Sequence, residues 1–75
     1  MNKNRRVKIS DVITKLSAIA EEIENVYEEE ESVYDNVPEN LQGSQRYEEM
    51  ETALEFLDSA RDDLASAIEN LMSVE

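Results

Sequence analysis

The chain has 75 residues and a net charge of −12, with 19 acidic side chains, 7 basic side chains and no cysteine or histidine. A chain this short forms one small domain, and without cysteine it has no disulfide, no thiolate nucleophile and no zinc–thiolate site. Without histidine it lacks the commonest metal ligand and the commonest general base, so we expect no enzymatic activity and no cofactor.

The first residues are basic, and no long apolar run follows them. Residues 1–20 have a net charge of +4, whereas residues 21–75 have a net charge of −16. We expect a flexible basic tail over residues 1–8, no signal peptide, no membrane span and a cytoplasmic location. An acidic body disfavours direct nucleic-acid binding and favours a protein partner with a basic surface. The basic residues of the tail are Lys3, Arg5, Arg6 and Lys8.

Apolar residues recur at helical spacing after this tail, which predicts a first helix over residues 9–35. The apolar face is three positions wide in each heptad, as in a helix of a bundle. We assign two of its three stripes to a seam with a second helix. They are Ile9, Leu16, Ile23 and Glu30, and Val12, Ile19, Val26 and Val33.

The only proline of the chain, Pro38, lies between two heptad-patterned arms. It holds Val37 away from helical dihedrals and predicts a turn over residues 36–44. We expect Asn36 to adopt a left-handed conformation and Pro38 to begin one short helical turn. Leu41 is expected to cover the end of the core, and Ser44 to cap the second helix.

The second arm predicts a helix over residues 45–73. Its seam positions pair with those of the first arm when the numbers of facing residues add to 80, which predicts an all-α antiparallel two-helix hairpin, similar to a coiled coil, over residues 9–75. Arg61 then faces Ile19, and we expect its guanidinium to reach Glu22 or Asp58. The seam positions of this arm are Tyr47, Leu54, Arg61 and Ile68, and Met50, Leu57, Leu64 and Leu71.

The apolar stripes outside this seam would remain exposed to solvent in an isolated hairpin. We therefore expect a homodimer in which two hairpins form a four-helix bundle, with the alanines permitting close approach of the helices. The candidate dimer interface consists of Ile13, Tyr27, Tyr34, Ala53, Ala60 and Ala67.

The half of the predicted hairpin that contains the turn is strongly acidic. Sixteen carboxylates and two arginines lie within residues 21–63. They place about one net charge per 2 Å of helical axis, close to the ~1.7 Å spacing of duplex DNA. The candidate partner surface consists of Glu28, Glu29, Glu31, Glu48, Glu49, Glu55 and Phe56.

Three functions remain open at this point. The first is a non-enzymatic protein–protein interaction module whose acidity mainly keeps it soluble. The second is a DNA mimic that occupies a nucleic-acid groove on another protein. The third is an oligomeric protein that binds a small phosphate ligand through its basic tails.

The turn segment Asp35–Ser44 reads DNVPENLQGS. It resembles the turn of small acidic helical-hairpin proteins of Gram-positive bacteria and their phages, in which DN-x-P-E-x-L-Q-x-S joins two heptad-rich arms. The resemblance implies a helical hairpin and brings no catalytic residue or cofactor. It favours a phage or prophage accessory protein that acts on a host protein in the host cytoplasm.

Overall fold

The computed structural model describes residues 1–74 and consists of two long helices joined by a short turn. Helix α1 spans Lys3–Asp35, a single 3₁₀ turn spans Glu39–Leu41 and helix α2 spans Gln45–Met72. The two α-helices pack against each other along a rod 59 Å long and 14 × 13 Å across. The predicted all-α helical hairpin is therefore confirmed.

Helix α1 begins at Lys3, within the segment expected to be a tail, rather than at Ile9. The side chain of Asn2 accepts a hydrogen bond from the backbone N–H of Arg5 at 2.8 Å, which satisfies one of the free donors at the helix start. The basic residues thus occupy the first turns of the helix, even though positive charge there opposes the helix dipole. The sequence pattern alone did not show this, because the cap precedes the apolar periodicity.

Helix α1 ends at Asp35 without a left-handed residue, which corrects the expectation for Asn36. Asn36 has φ −99° and ψ 6°, and its backbone N–H donates to the carbonyls of Val33 and Tyr34. Its side-chain amide donates to the carbonyl of Ser32 at 2.7 Å. These bonds satisfy carbonyls at the helix end, so the chain can leave the helix without a positive φ.

The turn fulfils one expectation and corrects another. Ser44 caps helix α2, since its hydroxyl oxygen accepts a hydrogen bond from the backbone N–H of Tyr47 at 3.2 Å. Leu41 is 50% exposed and does not cover the core. The 3₁₀ turn places Leu41 on the wall of an open groove instead of over the helix ends.

The seam on α1 differs from the predicted one by a rotation of the helix about its axis. The stripe that contains Ile13, Tyr27 and Tyr34 lies in the seam, half-buried, and the ring of Tyr34 stacks on Tyr47 with centroids 4.4 Å apart. Of the two stripes predicted for the seam, the stripe of Ile9, Leu16, Ile23 and Glu30 is half-buried there as predicted, whereas the other lies outside it. Its members are Val12, Ile19, Val26 and Val33, which are 42%, 45%, 48% and 53% exposed.

The rotation has a physical cause at Arg61. The predicted register would place this half-buried cation against Ile19, which offers it no polar partner. The observed rotation gives it the carboxylate of Glu24 and the ring of Tyr27. In exchange for a stripe of four β-branched side chains, the seam gains Ile13, Ala20 and two tyrosine rings, together with a charge-assisted hydrogen bond and a cation–π contact.

An isolated hairpin leaves this chain without a closed core. Among residues 1–74 no side chain is fully removed from solvent. The radius of gyration is 17.3 Å, against roughly 11 Å for a compact domain of this length. The accessible surface is 5741 Å², about 1,000 Å² more than a compact monomer of the same mass exposes.

Candidate functional site

The hairpin has two long sides that differ in chemistry. On α1 the exposed stripe of Val12, Ile19, Val26 and Val33 is called here the valine stripe. Each of its residues comes one position before a residue of the seam stripe that contains Ile13 and Tyr27. On α2 the alanine stripe, Ala53, Ala60 and Ala67, occupies the equivalent position before its own seam stripe. Equivalent positions on two antiparallel helices fall on the same side of their common seam. The valine and alanine stripes therefore lie side by side.

A shallow groove supports this placement independently. It is lined by residues of both helices, among them Val33 of the valine stripe and Arg46, which continues the alanine stripe one heptad towards the turn. Glu30 and Met50, predicted to face each other, line the same groove. The two stripes thus meet along one side of the rod.

Phe56 extends this side beyond the alanine stripe. It is 71% exposed, the highest value for any large apolar side chain among residues 1–74. A phenylalanine and a row of half-exposed β-branched side chains on one side form a contiguous apolar patch, which typically marks an interaction surface. We call this patch the apolar face. It consists of Val12, Ile19, Val26, Val33, Ala53, Phe56, Ala60 and Ala67.

The opposite side of the seam is organised around Arg61. Its guanidinium donates to both carboxylate oxygens of Glu24 at 2.8 and 2.9 Å and to Asp58 at 2.5 Å, and it lies 3.7 Å above the ring centre of Tyr27. The hydrogen bond to Asp58 is the main cause that raises the pKa of Arg61, and the hydrogen bond to Glu24 is the next largest. The expected contact with Asp58 is present, whereas the partner on α1 is Glu24 and not Glu22.

A second polar contact crosses the seam on this side. The hydroxyl of Tyr34 donates a hydrogen bond to the carboxylate of Glu51 at 2.6 Å. This bond is the main cause that raises the pKa of Tyr34 above its usual value, and the contact with Tyr47 is the next largest. The pKa of Tyr27 is also raised, mainly by burial and next by a hydrogen bond to Glu31. Both phenols therefore stay protonated at neutral pH.

The structure does not gather the predicted partner surface into one patch. Its six carboxylates are all exposed, but they are spread around the rod. Glu31 lies on the Arg61 side, while Glu48 and Glu55 share an outer stripe of α2. Only Phe56 belongs to the apolar face. The predicted carboxylates are Glu28, Glu29, Glu31, Glu48, Glu49 and Glu55.

The predicted dimer-interface residues are divided between two places. All six are half-buried, but Ile13, Tyr27 and Tyr34 lie in the seam of a single chain, whereas Ala53, Ala60 and Ala67 belong to the apolar face. The valine stripe, which the periodicity placed in the seam, takes the exposed place expected for the first three. Whether any of them contacts a second chain stays a prediction.

Charge divides the rod along its length. The closed half, residues 21–60, carries 14 acidic side chains and one basic side chain. The open half, residues 1–20 and 61–75, carries six basic and five acidic side chains. The net charges are therefore −13 and +1. The basic residues Lys3, Arg5, Arg6 and Lys8 are all exposed at the open end.

A groove of about 710 Å³ lies at the turn end of the rod. Its wall includes Val37, Leu41, Tyr47 and Met50, with Arg46 at one edge. Arg46 makes no ion pair within residues 1–74. The groove is open and mainly apolar, and the charges along its wall do not select a particular ligand.

Within residues 1–74 no group of three or more carboxylates is placed to hold a metal ion. None of the helices in that range carries an apolar stretch long enough to cross a bilayer. No family model, curated protein or solved structure matches this chain.

Proposed function

We propose that the chain is a non-enzymatic protein–protein interaction module whose binding surface is the apolar face. The observation that carries this proposal is the valine stripe, four β-branched residues over three heptad intervals that are each about half exposed. Each would gain about 1 kcal/mol on being covered, since full burial of such a side chain contributes about 1.5–3 kcal/mol. Covering the whole stripe would strengthen a fold that has no closed core of its own.

The polar groups support a structural role over a catalytic one. The side chains with perturbed protonation, Tyr27, Tyr34 and Arg61, all have raised pKa values. Each is thereby moved further from neutral pH, whereas a general acid or base works best with a pKa near the operating pH. Their contacts join α1 to α2 and hold the apolar face in place.

A DNA mimic is the second candidate, and the charge of the closed half favours it. Of the 14 acidic side chains behind the −13 net charge of residues 21–60, all but Glu24 and Glu30 are exposed. Arg61, however, sits in the middle of one side and engages two of the carboxylates, Glu24 and Asp58. This interrupts the row of charges that a basic groove would meet.

The test is capture on the immobilised chain, from a solution of the purified chain and from a Gram-positive lysate. The apolar-face variant Ile19→Glu/Val26→Glu is compared with an outer-surface control, Glu28→Gln/Glu48→Gln. Circular dichroism must show both to be as helical as the wild type. We expect the apolar-face variant alone to lose capture, and high salt or duplex DNA to leave wild-type capture intact. Equal capture by all three proteins, or release by duplex DNA, would overturn the proposal.

A further inference from the structure

We propose that the apolar face is occupied by a second copy of this chain, with the turns of the two hairpins at opposite ends of a four-helix bundle. This rests on the proposed function and names the partner of the same surface. Two hairpins that meet through one face and obey two-fold symmetry have two arrangements. Either the turns lie at opposite ends and α1 packs on α1, or they lie at the same end and α1 packs on α2.

The spacing of the apolar face suits the first arrangement. When α1 lies antiparallel on α1 of a second copy, Val12 meets Val33 and Ile19 meets Val26, and the dyad passes between residues 22 and 23. On α2 the same operation pairs Ala53 with Ala67 and brings Ala60 onto its own copy. Small side chains let the two α2 helices approach closely, and the larger side chains fill the space between the two α1 helices.

Both stripes place the dyad at the same level of the rod. A centre between residues 22 and 23 on α1 and at Ala60 on α2 requires seam partners whose numbers add to about 82 or 83. The observed cross-helix contacts lie close to this value, since the residue numbers add to 81 for the stacked Tyr34 and Tyr47 and to 85 for the ion pair of Glu24 and Arg61. One two-fold axis therefore serves both helices.

Charge separates the two arrangements. With the turns at opposite ends, each −13 half lies over a +1 half, whereas same-end packing sets the two −13 halves against each other. Beside the valine stripe, Lys15 then lies at the level of Glu29 of the second copy. Same-end packing keeps the register of the hairpin itself, so it would set Lys15 against the uncharged Asn70 and would oppose Glu22 to Asp63. Opposite-end packing leaves one like-charge pair, Glu22 beside its own copy at the dyad.

The arrangement also accounts for the basic start of α1. Residues 3–8 extend past the end of α2 in the observed register and are exposed within one chain. In the dimer they would lie over the acidic turn of the second copy, with Arg5 at the level of Glu39. Because these charges oppose the helix dipole of their own chain, a contact with the second copy gives them a stabilising role.

The area available is of the required size. The chain exposes about 1,000 Å² more than a compact monomer of its mass. A standard stable interface buries about 800 Å² on each partner. The excess on one hairpin is therefore of the size that a stable dimer buries.

Disulfide trapping tests the arrangement cleanly, because the chain has no cysteine of its own. We expect Glu22→Cys to form a disulfide-linked dimer under mild oxidation, since this position meets its own copy at the dyad. A mixture of Lys15→Cys and Glu29→Cys chains should also cross-link. A mixture of Lys15→Cys and Asn70→Cys chains reports the same-end arrangement and should stay uncross-linked. Adding Ile19→Glu to Glu22→Cys should abolish the cross-link.

The outcomes separate this inference from the proposed function. Cross-linking of Lys15→Cys with Asn70→Cys, and none of Glu22→Cys, would overturn the opposite-end dimer and leave the interaction module standing. A chain that stays monomeric yet captures another protein through Ile19 and Val26 would likewise overturn the dimer and leave the interaction module standing. If Ile19→Glu/Val26→Glu changes neither self-association nor capture, both proposals fail.

Discussion

Two isoleucines on helix α1 test the corrected seam with matched chemistry. Ile13 is half-buried in the seam, whereas Ile19 is 45% exposed on the apolar face. Replacement of a fully buried isoleucine by alanine costs about 2–5 kcal/mol, and half of that gives about 1–2.5 kcal/mol for Ile13→Ala. For a domain of this size the melting temperature should fall by about 5–15 °C. Ile19→Ala gains the same helix propensity, so a comparison of the two variants cancels this contribution.

The assay is thermal and urea unfolding followed by helical circular dichroism over a wide range of protein concentration. Ile13→Ala should unfold earlier than the wild type at every concentration and keep its concentration dependence. Ile19→Ala should match the wild type within about 0.5 kcal/mol at the lowest concentration and lose the concentration dependence. The seam as described is refuted if Ile19→Ala is the more damaging change at the lowest concentration.

Three further predictions concern the caps and a phenol. Ser44→Ala should lower the free energy of unfolding by about 1 kcal/mol, and Ser44→Gly by only a few tenths; equal losses in urea unfolding would contradict the capping role. Asn2→Ala should speed amide hydrogen exchange in residues 3–8 and leave exchange in α2 unchanged. The raised pKa of Tyr34 means that its contribution to stability is complete below about pH 10, the ordinary pKa of tyrosine, and is lost at more alkaline pH. Tyr34→Phe should therefore weaken the alkaline fall in stability measured by urea unfolding, and an unchanged fall would rule out this contribution.

The helices and their junction could be predicted because their signals are local. A proline with its restricted predecessor, a serine at the start of the second apolar pattern and a period near 3.6 determine where the helices meet. The structure ends α1 at Asp35 and begins α2 at Gln45, the residues at which the pattern placed these boundaries. The start of α1 was missed because Asn2 caps a helix whose first turns carry no apolar pattern.

The rotation of α1 could not be read from periodicity, because three neighbouring stripes are nearly equally apolar. The choice depends on contacts between helices, and one signal for it was present in the sequence. A seam arginine needs polar partners across the seam, and Ile19 supplies none. Placing Glu24 and Tyr27 against Arg61 instead yields the observed seam. Fitting the charged residue first would have left the valine stripe exposed.

The most direct test of the central claim is sedimentation equilibrium of the wild type beside Ile19→Glu/Val26→Glu at tens of micromolar. We predict a mass of twice the 8.6 kDa chain for the wild type and of a single chain for the variant. Two hairpins associated through the apolar face would give this pair of results. A wild-type monomer that melts at the same temperature as the variant would contradict the claim that the apolar face binds a second copy of this chain.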